Sequence, residues 1–334
     1  MRAEPWALRS LSAALVCGLW WSLPHPQLTR RPLPRLKSAP LKLPTPHRVT
    51  HPALDELSGL TQSRLNPEVL WAHNDSLDRA RLFALNRRGE LLGEHPVIGA
   101  QNIDWEDMAA GDGPWSGLLF VADSGNNFHW RDELKVYVIR EPSEPGGGAP
   151  LQVIASLSYR FPQQRRLPPL QSAERCLDAE ALFWAQGGLY LIAKCFWGGE
   201  APLYRFPLSQ ELLSALAERR SLDPTPPLIL EELARLQQGI SSPPFAWRVT
   251  AADYLPAREE LLVLSYFGLA SYSWRGSPTG EALHPRQLWR FEGRAKQVEA
   301  LAWIQGGEGE PQIVLANEQR ALWTLRLDHE LRRP

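Results

Sequence analysis

Residues 104–108 read Asp104-Trp105-Glu106-Asp107-Met108, an apolar strand with an acidic residue at its centre. The arrangement returns, with an acidic or small residue at the centre, in Glu56-Leu57-Ser58-Gly59-Leu60, Asp178-Ala179-Glu180-Ala181-Leu182, Thr250-Ala251-Ala252-Asp253-Tyr254 and Gln297-Val298-Glu299-Ala300-Leu301. Aligned, the central residues are Ser58, Glu106, Glu180, Ala252 and Glu299. Self-similarity at long, irregular spacing marks repeated blades rather than one sheet flanked by helices.

A second apolar strand follows each stretch, with a small residue at a fixed place: Ala72, Ala122, Ala193, Ser265 and Ala316. A third carries an aromatic residue in its middle: Phe83, Tyr137, Tyr204, Tyr272 and Trp323. Short apolar strands between Gly, Pro, Asn and Asp belong to an all-β protein, and 30 Pro with 24 Gly suit a chain that turns often. The pattern predicts a β-propeller, because radial blades leave few exposed sheet edges. Five blades are the direct count, and six if one long spacing conceals a degenerate repeat. The last repeat leaves no room for a fourth strand, so a segment around Leu41–Leu54 is expected to supply it and close the ring. One helical excursion is expected at Ser209–Arg220, where Leu212, Leu213 and Leu216 share a face. Ile229–Gln238 reads equally as a helix or as an outer strand of the third blade.

Residues 1–23 hold an apolar run, Leu11–Leu23, behind Arg2 and Arg9. Its length fits a signal peptide, while the missing small-x-small cleavage pattern leaves an uncleaved N-terminal membrane anchor open. Cys17 is a poor lipoprotein acceptor, since Val16 precedes it by one residue. Residues 24–46 form a Pro-rich basic linker, and residues 47–334 the propeller domain. The expected location is extracytoplasmic, periplasmic or secreted. Cys176 and Cys195 flank a hairpin turning at Gln186-Gly187-Gly188, so they form either a disulfide or two separate buried thiols. A net charge of −1 gives no footprint for nucleic acid. Most of the 14 Trp fall on strands and are expected to pack the core.

In a propeller the first strands start and the second strands end on one face, so residues there converge on the channel mouth. That set offers Asn74, Asp75, Ser124, Asn126, Asn127, Tyr266 and Asn317 as ligand-binding residues for a small molecule or protein. His73, Asp107 and Asp123 are candidate catalytic bases, and Lys194 a candidate for developing negative charge. The bland alternative for each is an ordinary polar turn residue. Deeper in the channel, Ser58, Glu106, Glu180 and Glu299 form the expected metal site. Carboxylates held together either take up protons or recruit a cation. Calcium suits an all-oxygen ring; zinc does not, without His or Cys at that depth.

This ring, opened by Glu56-Leu57-Ser58, resembles the calcium-activated nucleotidase (apyrase) family. The resemblance implies a five-bladed propeller with an axial calcium held by Ser and Glu from successive inner strands. Ala252 departs from it, standing where the family would offer a hydroxyl, and the nucleotide-binding residues have no match. Trp71-Ala72-His73-Asn74-Asp75-Ser76 and Ala122-Asp123-Ser124-Gly125-Asn126-Asn127 are also similar to uncharacterised exported bacterial β-propeller proteins. Two functions follow as expectations: a calcium-pinned module that binds a ligand or partner at its funnel, or a calcium-dependent hydrolase of a phosphoester or lactone. No phosphate loop, nucleophile elbow, Cys-x-x-Cys or His-Glu-x-x-His is present.

Overall fold

The repeated stretches form strands because Val, Leu, Ile and aromatic residues fill both faces between Gly, Pro and Asn turns, which suits a pleated surface buried on two sides. The computed structural model describes residues 38–128, 131–164, 176–195, 200–222, 226–237, 248–275, 283–293, 295, 297–304 and 311–326. The Leu11–Leu23 run, Cys17 and most of the basic linker lie outside them.

The chain is all-β with one α-helix among the described residues. Two short N-terminal strands come first, β1 (Ser38–Lys42) and β2 (His47–Arg48). An antiparallel meander follows: β3 (Leu57–Gln62), β4 (Val69–Asn74), β5 (Arg81–Asn86) and β6 (Leu91–Ile98). Next come β7 (Trp105–Ala110), β8 (Leu118–Asp123), β9 (Leu134–Arg140) and β10 (Leu151–Arg160). The third meander has β11 (Asp178–Ala185), β12 (Gly188–Lys194) and β13 (Glu200–Arg205). It continues through α1 (Gln210–Ala217) and β14 (Leu228–Ile229) to β15 (Glu231–Gln237). Then come β16 (Val249–Leu255), β17 (Glu260–Ser265), β18 (Gly268–Trp274) and β19 (Leu283–Glu292). The last has β20 (Val298–Ile304), β21 (Gln312–Asn317) and β22 (Ala321–Arg326).

The first strands neighbour one another in the order β3, β7, β11, β16, β20 and back to β3. The apolar core follows suit, each cluster being shared by two successive meanders. Trp71, Leu82, Trp105 and Leu119 join the first to the second, and Leu60, Phe83, Ala300 and Val314 join the last to the first. This ring is the β-propeller arrangement. Trp71, Trp105, Trp184, Trp274, Trp303 and Trp323 are all buried in these seams, which accounts for the strand tryptophans by packing.

The N-terminal stretch enters the last sheet, where β2 pairs antiparallel with β22 in the fourth-strand place. It also does something its sequence did not announce. β1 pairs in parallel with β19 and adds a fifth strand to the β16–β19 sheet, with Leu41 buried against Trp289 and Phe291. The helix begins at Ser209, whose hydroxyl accepts the Leu212 N–H at 3.2 Å, and buries Leu213 and Leu216. The ambiguous Ile229–Gln238 stretch is strand, pairing β15 with β13, so β15 is the outer strand of its sheet. Cys176 and Cys195 are joined in a disulfide.

Candidate functional site: an acidic funnel

Every inner strand breaks register with its neighbour at one place. The shift falls between Leu57 and Gly59, Trp105 and Met108, Ala179 and Ala181, Val249 and Ala251, and Val298 and Ala300. The residues passed over are Ser58, Glu106 with Asp107, Glu180, Thr250 and Glu299. A bulge re-aims the extra side chain out of the strand's alternation, which brings these polar groups together beside the axis.

The bulges correct the alignment of the fourth repeat. Ala252 is not the counterpart of Ser58; Thr250 is, two residues earlier. Both hydroxyls behave alike, Ser58 Oγ donating to the Glu106 carbonyl at 2.6 Å and Thr250 Oγ1 to the Val298 carbonyl at 3.0 Å. Each reaches the next inner strand in the ring.

The funnel gathers many more negative charges than positive ones. Burial pushes Glu180 up to about 8, with the Lys194 ammonium opposing the shift. Burial and then the Glu180 charge hold Glu106 well above the usual carboxylate range; burial and then Glu318 do the same for Glu299. Burial likewise raises Glu318, with Glu299 beside it opposing the shift. Nearer the mouth, burial raises Asp75 to about 6, and burial together with the Asp75 and Asp178 charges raises Asp104 to about 7. Lys194 is the resident cation. Its Nζ contacts Glu180, lies 4.0 Å from Asp178 and sits 5.7 Å over the Tyr266 ring. Burial alone would lower the Lys194 pKa, but Glu180, Tyr266, Asp178 and Glu106 outweigh it and raise it. One oxygen each from Glu106, Asp178 and Glu180 lie within 4.8 Å of one another, and the same holds for Asp75, Asp104 and Glu106. All are hard oxygen donors, which suit a hard divalent cation.

No protein-family model matches the sequence, and no curated protein matches it. Solved structures with a similar course include the major Malassezia sympodialis allergen Mala s 1. It is 12% identical with a TM-score of 0.42, over 86% of this chain and 84% of that one. Sqt1 of Saccharomyces cerevisiae is 14% identical with a TM-score of 0.33, over 77% of this chain and 54% of that one. Neither likeness bears on the funnel, whose reading rests on its own residues.

The other sequence-derived candidates divide sharply. His73 is fully buried away from the funnel, its ring edge-on to Trp105 at 5.4 Å and its Nε2 where a methyl on Gly59 would lie, 2.0 Å away. Burial lowers its pKa to about 4, so it is a neutral core histidine rather than a base at the mouth. Asp107 is also no mouth residue. Its Oδ2 accepts the Leu182 N–H at 2.9 Å and the Ala252 N–H at 3.4 Å, and its Oδ1 the Met108 N–H at 2.8 Å. Asp123 Oδ1 is paired with Arg131 at 2.7 Å and accepts the Asp104 N–H.

Most proposed ligand-binding residues hold loops. Asn74 Nδ2 donates to Ala53 O and Asp78, Ser124 Oγ to Ala179 O, and the Asn126 N–H to Asp178. Asn317 Oδ1 accepts the Ala321 N–H at 2.9 Å. Asp75, Tyr266 and the exposed Asn127 remain facing the mouth region. Asn102 was missed. Its Nδ2 donates to Asp75 O at 2.7 Å and Asn74 O at 3.3 Å, and its Oδ1 accepts the Trp105 N–H, which sets Asp75 beside Asp104. Only its place just ahead of an inner strand could have flagged it.

Proposed function

We propose that the chain is an exported five-bladed β-propeller, closed by its N-terminal strand, whose funnel binds calcium and through it an anionic ligand. The observation that carries this reading is the convergence of the inner-strand bulge residues. Ser58, Glu106, Glu180, Thr250 and Glu299 offer two hydroxyls and three carboxylates around one axis, with Glu106, Asp178 and Glu180 close enough to share an ion. Calcium accepts six to eight such oxygens in loose geometry. The ammonium of Lys194 holds part of this charge until the ion enters. Leu77, Ile103 and Phe128 are exposed on the loops at the mouth, so the ligand best suited is a small anion with an apolar portion. Binding is favoured over hydrolysis because His73, Asp107 and Asp123 are each engaged elsewhere.

The test is thermal melting of the metal-free chain with and without calcium, alongside a Glu180→Gln/Glu299→Gln double variant. A calcium-dependent rise in Tm that the double variant loses supports the axial site. An unresponsive wild type refutes it. Calcium-dependent turnover of phosphoesters or lactones would favour the hydrolase instead.

A further inference from the structure

The two acidic groups in the funnel share one residue, Glu106, and differ in what already neutralises them. Glu180 and Asp178 have the Lys194 ammonium beside them. Among the described residues no ion pair reaches Asp75 or Asp104, which feel Lys194 and Arg131 only from further off. Among the described residues no donor reaches the Asp104 carboxylate, and the Asp75 carboxylate accepts only the adjacent Ser76 N–H, at 2.5 Å. Glu106 is only 6% exposed, yet among the described residues no hydrogen bond or ion pair reaches its carboxylate; Ser58 engages its backbone carbonyl instead. A buried carboxylate left without a donor, aimed at two others, is a strong demand for a cation.

The local backbone keeps this space open. A methyl on Gly125 would stand 2.2 Å from Asp104 Oδ2 and 2.3 Å from Glu106 Oε1, so only glycine lets both oxygens occupy their positions. The Gly125 N–H and the Ser124 N–H both donate to Asp104 O at 3.1 Å, pinning the loop after β8 against the acid. Asn102 fixes Asp75 on the opposite side. Three elements of two neighbouring meanders therefore hold three carboxylates with oxygens within 4.8 Å.

We infer that Asp75, Asp104 and Glu106 form a second divalent-cation site, off the axis, with Glu106 bridging it to the axial ion. The off-axis site stands on its own geometry; only the bridging role of Glu106 rests on the axial reading. With both ions in place, an anionic ligand entering the mouth meets two positive centres rather than one.

Calorimetric titration of the full metal-free chain with calcium chloride tests this, with folding of each variant checked by near-ultraviolet circular dichroism. Wild type should bind two ions. Asp104→Asn should lose one, Glu180→Gln the other, and Glu106→Gln both. Gly125→Ala should lose the same ion as Asp104→Asn while removing no donor, which guards against a variant that fails to fold. If Asp104→Asn and Gly125→Ala keep the wild-type stoichiometry, the off-axis site is wrong and the axial one stands. If Glu180→Gln changes nothing while Asp104→Asn loses an ion, the axial reading is wrong and the off-axis site stands. A wild type that binds no ion overturns both.

Discussion

Asp107 Oδ2 accepts the backbone N–H of Leu182 at 2.9 Å, tying the inner strand of one meander to the inner strand of the next. The same carboxylate reaches Ala252 on a third inner strand, so one buried acid braces three sheets near the axis. Asp253 repeats the device, accepting the Tyr254 N–H at 2.8 Å and the Trp303 N–H at 2.7 Å. Substituting Asp107→Asn turns one acceptor into a donor facing N–H groups. Burial pushes the Asp107 carboxyl well above the usual range, with the Leu182, Met108 and Ala252 N–H groups opposing it; at roughly 1 kcal/mol per hydrogen bond, a loss of about 3 kcal/mol is expected. Urea unfolding measures it, and an unchanged midpoint would show that the bracing is redundant.

Lys194 should act as a competitor for the incoming ion. Removing one partner of a buried pair costs about 3–5 kcal/mol, so metal-free Lys194→Met should be markedly less stable than wild type. Without the ammonium, its calcium affinity should rise by tenfold or more. Titration calorimetry and melting of the same variant read both effects, and weaker calcium binding by Lys194→Met would contradict the assignment.

Stability should respond to pH in two opposite ways. Asp75, Asp104 and Glu180 titrate near 6, 7 and 8 in the folded chain against about 4 when unfolded. The folded state therefore holds more protons in that interval, and metal-free stability should fall by about 2 kcal/mol or more from pH 6 to pH 8. Calcium should flatten this limb. His73 has the reverse sign, with a folded pKa of about 4 against 6.5 unfolded. Its contribution is full above pH 6.5 and lost as pH falls toward 4. The stability gap between wild type and His73→Gln should thus narrow on acidification, and a constant gap would rule out the buried neutral ring.

Gly59→Ala probes the same seam by steric means. The added methyl would sit 2.0 Å from His73 Nε2, and the ring is walled by Trp105. Overpacking of this kind costs about 1–3 kcal/mol. A Tm equal to wild type would mean that the ring can move aside freely.

The Cys176–Cys195 bond closes a loop of sequence separation 19. Chain-entropy reasoning gives a contribution of about 3 kcal/mol for a loop near this length. Reductant should lower the urea midpoint of the wild type and leave a Cys176→Ser/Cys195→Ser variant unaffected. A midpoint insensitive to reductant would argue against the bond.

Local chemistry made much of this molecule legible. The apolar runs and their turn residues set the strands; the aromatic residue in each third strand marked a packing seam; and the shared face of Leu212, Leu213 and Leu216 announced the helix. Those signals depend on neighbours in the chain. The bulges do not. A register break of one residue leaves the apolar pattern of a doubly buried strand unchanged, so Thr250 and Ala252 are indistinguishable until β17 pairs with β16. For the same reason His73 and Asp107 read as mouth residues. Their polar character was visible, but burial against Gly59 and bonding to Leu182 involve partners 14 and 75 positions away, with the orientation fixed by packing.

The sequence by itself determined the repeat, the all-β architecture and the acids that recur near the start of three inner strands, because periodicity and turn chemistry are local. The tertiary structure alone decided which acids meet, which are bound to backbone and which are left facing one another. That decision belongs to ring closure: Glu106 lies beside Glu180 and Asp75 only after separate meanders pack around a common axis, where bulged side chains have no other direction to take.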